Sequence, residues 1–249
     1  MHTSIPHFFV DPASVRDSHD HFEIVAIREP EDGKLRARKV VTRSRARSTG
    51  KYPSWKMGRM IQWESIHERN AFVLLDADPN VKRFREQPLV IEYTLNGKPH
   101  RHFPDLLVVY GNAKHLWEIK SREAALSDET KLRTALLSHA LSRYGFQYRL
   151  ILGESLEQKS FLSNAELLNR FGRHPISFIQ REKARRVFFD RTGVTWGEII
   201  SGTLGMDGRQ IVCRLILEGT LMFEFGLPLQ SDTIIRVASS EIDLSRGGE

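Results

Sequence analysis

Residues 89–95 alternate cleanly enough to define a sheet face. Leu89, Ile91, Tyr93 and Leu95 fall on one side, with Val90, Glu92 and Thr94 on the other. Asn96-Gly97 follows at once, and it is the pair a two-residue type I′ turn favours because both positions take positive φ. The chain is therefore expected to return antiparallel over roughly residues 101–110, where Pro104 implies an edge or a bulge. Gly111-Asn112 turns it again into residues 114–121. The reading is a three-strand antiparallel meander.

Helical patterns flank the meander. At about 100° per residue, Glu64, Glu68, Ala71, Phe72 and Leu75 share one stripe of a helix over residues 64–77, which Asp78-Pro79 ends. Residues 127–144 read as a second helix, with Leu132, Leu136 and Ala140 at spacing four and Gly145 as its C-cap. Residues 147–153 (QYRLILG) read as a buried strand, and residues 22–27 (FEIVAI) as a possible one. The order helix, three strands, helix, strand predicts an α+β sheet layered by helices.

Beyond a polar link near residues 154–163, Thr195 and Glu198 have capping-box spacing, and Asp207 can cap a second helix ending at Gly219. Residues 221–227 and 233–237 read as strands. Helix, turn, helix, hairpin is the order of a winged helix. A chain of 249 residues accommodates these units: an N-terminal region (1–60), a sheet-and-helix core (61–160) and a winged-helix-like C-terminal domain (161–249).

Composition narrows the class. Hydrophobic residues at 40% and charged residues at 27% exclude wholesale disorder. No apolar run approaches the ~20 residues of a membrane span, and the N-terminus lacks the order of a signal peptide, so a cytoplasmic protein is expected. The single cysteine, Cys213, excludes an internal disulfide and a cysteine zinc cluster; among Ile211, Val212 and Leu215 it reads as a packed thiol.

Charge is concentrated in one place. Ten basic residues and no acidic one lie between Lys34 and Trp63, leaving 27 Lys and Arg against 31 Asp and Glu elsewhere. Ser44, Ser48, Gly50 and Pro53 mark this arm as irregular. It reads as a solvated loop or as a phosphate-contacting arm, with Arg43, Arg45, Arg47, Lys51, Lys56 and Arg59 as its candidates.

The chemistry gathers on the meander. Glu118 and Lys120 are two apart on a strand and share a face. A hairpin at Gly111-Asn112 lets that strand pair with the one that carries Asp105. Glu68 brings a further carboxylate from the preceding helix, with Glu64, one turn earlier, as its rival. Carboxylates around one site suit hard divalent cations, which neutralise the charge of a phosphodiester under attack, and a lysine can position the water. Taken alone, Asp105, Glu118 and Lys120 also read as a salt-bridged strand pair. Glu118 and Lys120 lie among Leu116, Trp117 and Ile119, however, where ionised groups need a reason. Of the neighbours, His100 and His102 read as exposed strand residues, His67 as surface, His139 as a packing residue and Gln87 as a structural hydrogen bond before Pro88.

With these residues in view, the chain resembles the PD-(D/E)xK nucleases, and among them the TnsA-type endonuclease subunit of heteromeric transposases. Thr49-Gly50-Lys51, Trp63-Glu64-Ser65, Glu68-Arg69, Arg85-Glu86-Gln87-Pro88, Pro104-Asp105 and Glu118-Ile119-Lys120-Ser121 carry the likeness, over roughly residues 40–153. The resemblance implies a restriction-endonuclease-like αβββαβ core. It also implies catalysis by Glu68, Asp105, Glu118 and Lys120, with the three carboxylates binding Mg²⁺, for which Mn²⁺ can substitute. The implied activity is cleavage of double-stranded DNA at the 5′ ends of a transposon by metal-activated water. The implied partners are a DDE-class transposase subunit and an ATP-dependent regulator, with no membrane. The alternatives are a stand-alone restriction or repair nuclease, and a catalytically silent DNA-binding scaffold. In the C-terminal unit, Arg209, Gln210 and Arg214 are few polar readers for a groove helix, which favours protein docking or non-specific DNA contact. Arg181, Lys183, Arg185 and Arg186 read as phosphate contacts or as a solvated face.

Overall fold

The computed structural model describes residues 21–30, 36–37, 49–189 and 191–238; Arg43, Arg45 and Arg47 lie outside them. The chain runs through β1 (Phe22–Arg28), β2 (Gly50–Ser54), β3 (Arg59–Trp63), α1 (Ile66–Ala77), β4 (Val81–Glu86), β5 (Val90–Leu95) and β6 (Lys98–His102). It continues through β7 (Leu106–Tyr110), β8 (Ala113–Lys120), α2 (Arg122–Ala125), α3 (Asp128–Leu141) and β9 (Phe146–Leu152). Next come α4 (Lys159–Gly172), α5 (Phe178–Phe189), β10 (Val194–Thr195), α6 (Trp196–Ile200), α7 (Gly208–Leu217), β11 (Leu221–Met222) and β12 (Ile234–Val237). Contacts divide the described chain into two units, one within residues 6–72 and 81–157, the other comprising 73–80 and the described part of 158–249.

The first unit is built on a four-stranded sheet of order β4-β7-β8-β9. Strands β4, β7 and β8 are antiparallel, and β9 joins β8 in parallel after the crossover through α3. With α1 in front, this is the expected order α-β-β-β-α-β, carried partly by other strands. The meander begins at β4, which sequence periodicity did not reveal. Its burial breaks alternation: Val81, Phe84 and Glu86 are buried, and the register slips between Val81 and Arg83.

The expected strand over 101–110 is two strands in two sheets. Pro104 has no N–H for a ladder, and at Phe103-Pro104-Asp105 the chain leaves β6 and enters β7. Strands β5 and β6 are the predicted Asn-Gly hairpin, with φ of 50° at Asn96 and 76° at Gly97. They pair with β1 in a separate sheet of order β1-β5-β6. The predicted face of β5 does point inward: Leu89, Ile91 and Tyr93 pack with Leu116, Leu137, Leu141 and Tyr148.

Two further expectations are corrected. Part of the basic arm is a regular hairpin, β2 with β3, in register from Gly50↔Trp63 to Ser54↔Arg59. Gly50 is required there because the Trp63 ring covers it; a Cβ would lie 2.4 Å from Trp63 Cζ2. Helix α3 buries Thr130, Thr134, Leu137 and Leu141 rather than the stripe Leu132, Leu136 and Ala140, and His139 is exposed. Thr130 is tolerated inside because its hydroxyl is 2.9 Å from Ser127 Oγ.

In the second unit, α4 occupies much of what reads as a polar link. Its buried side comprises Asn164, Ala165, Leu168 and Gly172. Asn164 is polar yet satisfied, donating to the Phe225 and Leu227 carbonyls at 2.9 and 2.8 Å. Gly172 lets α4 approach α7, since a Cβ would lie 2.7 Å from the Cys213 backbone. The Thr195–Glu198 capping box is formed. Strands β10, β12 and β11 make a small sheet in that order, and the expected strand over 221–227 is only Leu221–Met222. Among the described residues, no helix is long and apolar enough to cross a membrane.

Candidate active site

Strand register places the acidic residues. Leu106 pairs with Trp117, so one step further sets Asp105 opposite Glu118, and cross-strand neighbours share a face. Lys120, two residues on, shares that face. Asp105 is fixed from both sides: its Oδ2 accepts the Ile119 N–H at 2.7 Å, and its carbonyl accepts the Gln87 N–H at 2.8 Å. Lys120 Nζ lies 2.7 Å from Glu118 Oε1. Among the described residues Glu118 Oε2 is buried without a hydrogen bond, 3.5 Å from His102 Nε2.

The head of α1 supplies the rest. Ser65 Oγ accepts the Glu68 N–H at 3.2 Å, while Glu68 Oε2 accepts the Glu64 N–H at 2.9 Å, a reciprocal cap of the helix start. Glu64 precedes the helix, and its Oε1 accepts from Gln87 Nε2 at 3.3 Å. Glu64, Glu68, Asp105, Glu118 and Lys120 thus line one cleft of about 690 Å³. Glu68 is drawn back toward its own helix by the cap. Among the described residues, no group of three His, Cys, Asp or Glu side chains stands close enough to hold a metal ion.

The cleft perturbs its own ionisations. Burial, then the charges of Glu118 and Glu68, push the Asp105 carboxyl well above the usual range. Burial pushes Glu68 up to about 7, against the opposing hydrogen bond from the Glu64 backbone. For Lys120, burial works against the charge, but Glu118 and Asp105 outweigh it and the ammonium is held above its ordinary value. Burial lowers His102 to about 4, so its ring is neutral at pH 7.

His102, expected to be exposed, turns inward, while Gln87 makes the structural hydrogen bonds expected of it. His102 is buried, with Nε2 2.9 Å from Tyr148 OH, a partner 46 residues away that no local pattern reveals. Gln87 is buried with φ of 42°, and its Oε1 makes no hydrogen bond. Its place before Pro88 was the local signal, since proline restricts the residue before it. His67 is half-buried, with Nδ1 3.2 Å from Glu157 Oε1, and His100 is exposed and stacked on Tyr93.

Of the basic-arm candidates, Lys51 is exposed and Lys56 lies over the Trp55 ring. Arg59 instead forms a two-bonded pair with buried Glu86, at 2.9 and 2.5 Å. In the second unit, seven of the ten α7 residues are buried, Arg209 sits over Phe171, and Arg214 bonds Glu218. Cys213 is among the buried residues, and burial pushes its thiol up to about 12. On α5, Arg181 bonds Glu218, while Arg185 and Arg186 bond Glu182.

Residues 78–200 match the family model described as TnsA-like endonuclease N terminal, a stretch that includes Asp105, Glu118 and Lys120. No curated protein matches the chain. The order of elements around the β4-β7-β8-β9 sheet accords with a restriction-endonuclease-like core, and over residues 78–200 the chain is similar to the TnsA-like endonucleases.

Proposed function

We propose that the protein is the divalent-metal-dependent DNA endonuclease subunit of a transposase, hydrolysing phosphodiesters at the 5′ ends of a transposon. The observation that carries this reading is the placement of Asp105 and Glu118 on neighbouring strands, with Lys120 beside Glu118 in the same cleft.

The residues fit a hard divalent cation such as Mg²⁺. That ion is commonly held through one or two carboxylates, with substrate phosphate and water completing its shell. Asp105 and Glu118 supply two carboxylates, and Glu118 Oε2 is a buried oxygen without a hydrogen bond. A cation would also relieve the repulsion that raises Asp105. When bound, such an ion neutralises charge on phosphate oxygens and makes water more acidic.

The chain's own groups do the remainder. Lys120 keeps an ammonium beside the carboxylates and holds the attacking water by hydrogen bonding. Glu68, at about 7, can take up or release a proton at its carboxylate near neutral pH. Asp105 is held in place by the Ile119 N–H, so its orientation does not depend on substrate.

Double-stranded DNA at transposon ends is the substrate in this reading, with a DDE-class transposase subunit and an ATP-dependent regulator as partners. The second unit acts as a winged-helix-like docking element, because the order α6, α7, β11, β12 fits that motif while the buried α7 has few free polar groups for base edges. The test is a strand-specific nicking assay on duplex DNA carrying transposon ends, with and without the partner transposase, in Mg²⁺ and in its absence. Wild type should nick the 5′ end only when metal is present, and Asp105→Ala should not. Equal nicking by Asp105→Ala would remove the reading.

A further inference from the structure

The cleft is a difficult place for a phosphodiester. Among the described residues four carboxylates line it, and of the three Lys and Arg side chains that line it two are committed to carboxylates. Lys120 is held by Glu118 at 2.7 Å. Arg101 donates to Glu92 Oε1 through both Nε and Nη2, at 3.1 and 2.8 Å.

Arg133 differs. It stands in the second turn of α3, lines the cleft, and its side chain is 20% exposed. Its Nη1 pairs with Glu129 Oε1 at 3.1 Å, one turn earlier, but the Glu129 side chain is 87% exposed and water screens that pair. Arg133 Nε is buried and makes no hydrogen bond among the described residues. Buried donors without partners are few in native proteins, and each calls for an explanation such as a functional role. The Nε–H and the neighbouring Nη–H form the planar edge that takes two phosphate oxygens at once. The charge also reaches the reacting wall, since it bears on both Lys120 and His102.

We propose that Arg133 is a phosphate-binding residue, its guanidinium edge receiving two non-bridging oxygens of a backbone phosphate of duplex DNA as the strand enters the cleft. The identity of the ligand rests on the nuclease reading above. The contact positions the strand and carries no sequence information.

The test uses the full chain and short DNA duplexes without divalent ion, so that cleavage does not intrude, with affinity followed by fluorescence anisotropy through a salt series. Arg133→Gln should weaken binding equally on unrelated sequences and reduce the slope of log K against log salt by about 1. Arg133→Lys, which keeps the charge without the planar edge, should restore the slope and only part of the affinity. Glu129→Gln, which removes the exposed partner, should bind at least as tightly as wild type. Unchanged affinity and slope in Arg133→Gln overturn the assignment. A Glu129→Gln variant that weakens binding as much as Arg133→Gln overturns it too, because the ion pair is then structural. Should Arg133→Gln fail to melt cooperatively, the Lys and Glu129 variants decide. Asp105→Ala in Mg²⁺ separates the two readings: nicking that survives it sinks the nuclease, while the anisotropy series judges Arg133 independently.

Discussion

Lys120 Nζ and Glu118 Oε1 are 2.7 Å apart on one face of β8, and Glu118 is almost wholly buried while Lys120 keeps a third of its side chain in solvent. The ammonium is what makes a buried carboxylate tolerable between Trp117 and Ile119. Lys120→Met should therefore lower the unfolding free energy by about 1–3 kcal/mol as well as removing cleavage. Lys120→Arg should recover most of the stability. Urea midpoints of the two variants at pH 7 check this, and equal midpoints for Met and wild type would show that the pair is energetically idle.

The fold should weaken as pH rises across the acid-to-neutral range. A carboxyl raised in the folded state binds its proton more tightly folded than unfolded, so stability is present at low pH and declines as the group ionises. For Glu68 the window runs from its ordinary 4.5 to about 7, and the loss is on the order of 3 kcal/mol at most. Asp105 adds in the same direction. Glu68→Gln should flatten this part of the stability–pH curve, read by denaturant titrations at successive pH values. A curve as steep as that of wild type would mean that Glu68 is not the titrating group.

Gln87 holds a left-handed backbone that costs a non-glycine residue about 1–2 kcal/mol. In return its N–H reaches the Asp105 carbonyl and its side chain reaches Glu64. Gln87→Gly should stay within about 1 kcal/mol of wild type, because backbone relief offsets the lost side-chain bond, yet cleave more slowly. Gln87→Val should lose about 2 kcal/mol or more, since a β-branched residue is penalised at that φ. Thermal melts alongside single-turnover nicking rates distinguish the two effects.

Arg59 and Lys51 sit on the same hairpin and should behave differently. Arg59 neutralises buried Glu86, so Arg59→Ala should destabilise by about 3 kcal/mol. Exposed Lys51→Ala should leave stability within about 0.5 kcal/mol and lower only DNA affinity. Denaturant curves and DNA titrations on both variants give the comparison.

Local chemistry explains which parts were legible in the sequence. The Asn96-Gly97 turn, the Gly145 C-cap after α3 and its final turn, and the Thr195–Glu198 box are each specified within a few residues, and each was readable. So was the Glu118-Ile119-Lys120 strand that faces Asp105 across one hairpin. Strand β4 was hidden because Glu86 is buried, and its burial depends on Arg59, 27 residues earlier. Helix α4 was hidden because Asn164 reads as surface until the distant Phe225 and Leu227 carbonyls are known. The inward turn of His102 likewise depends on Tyr148.

The passage at Phe103-Pro104-Asp105 has a mechanical outcome. The aspartate is the last residue before β7, where the chain enters the four-stranded sheet after leaving the β1-β5-β6 sheet. Two residues, Phe103 and Pro104, separate the end of β6 from the aspartate that stands across from Glu118. Substitutions in the β1-β5-β6 layer are therefore expected to shift the Asp105–Glu118 spacing, read as a changed nicking rate with the side chains of the cleft left as they are.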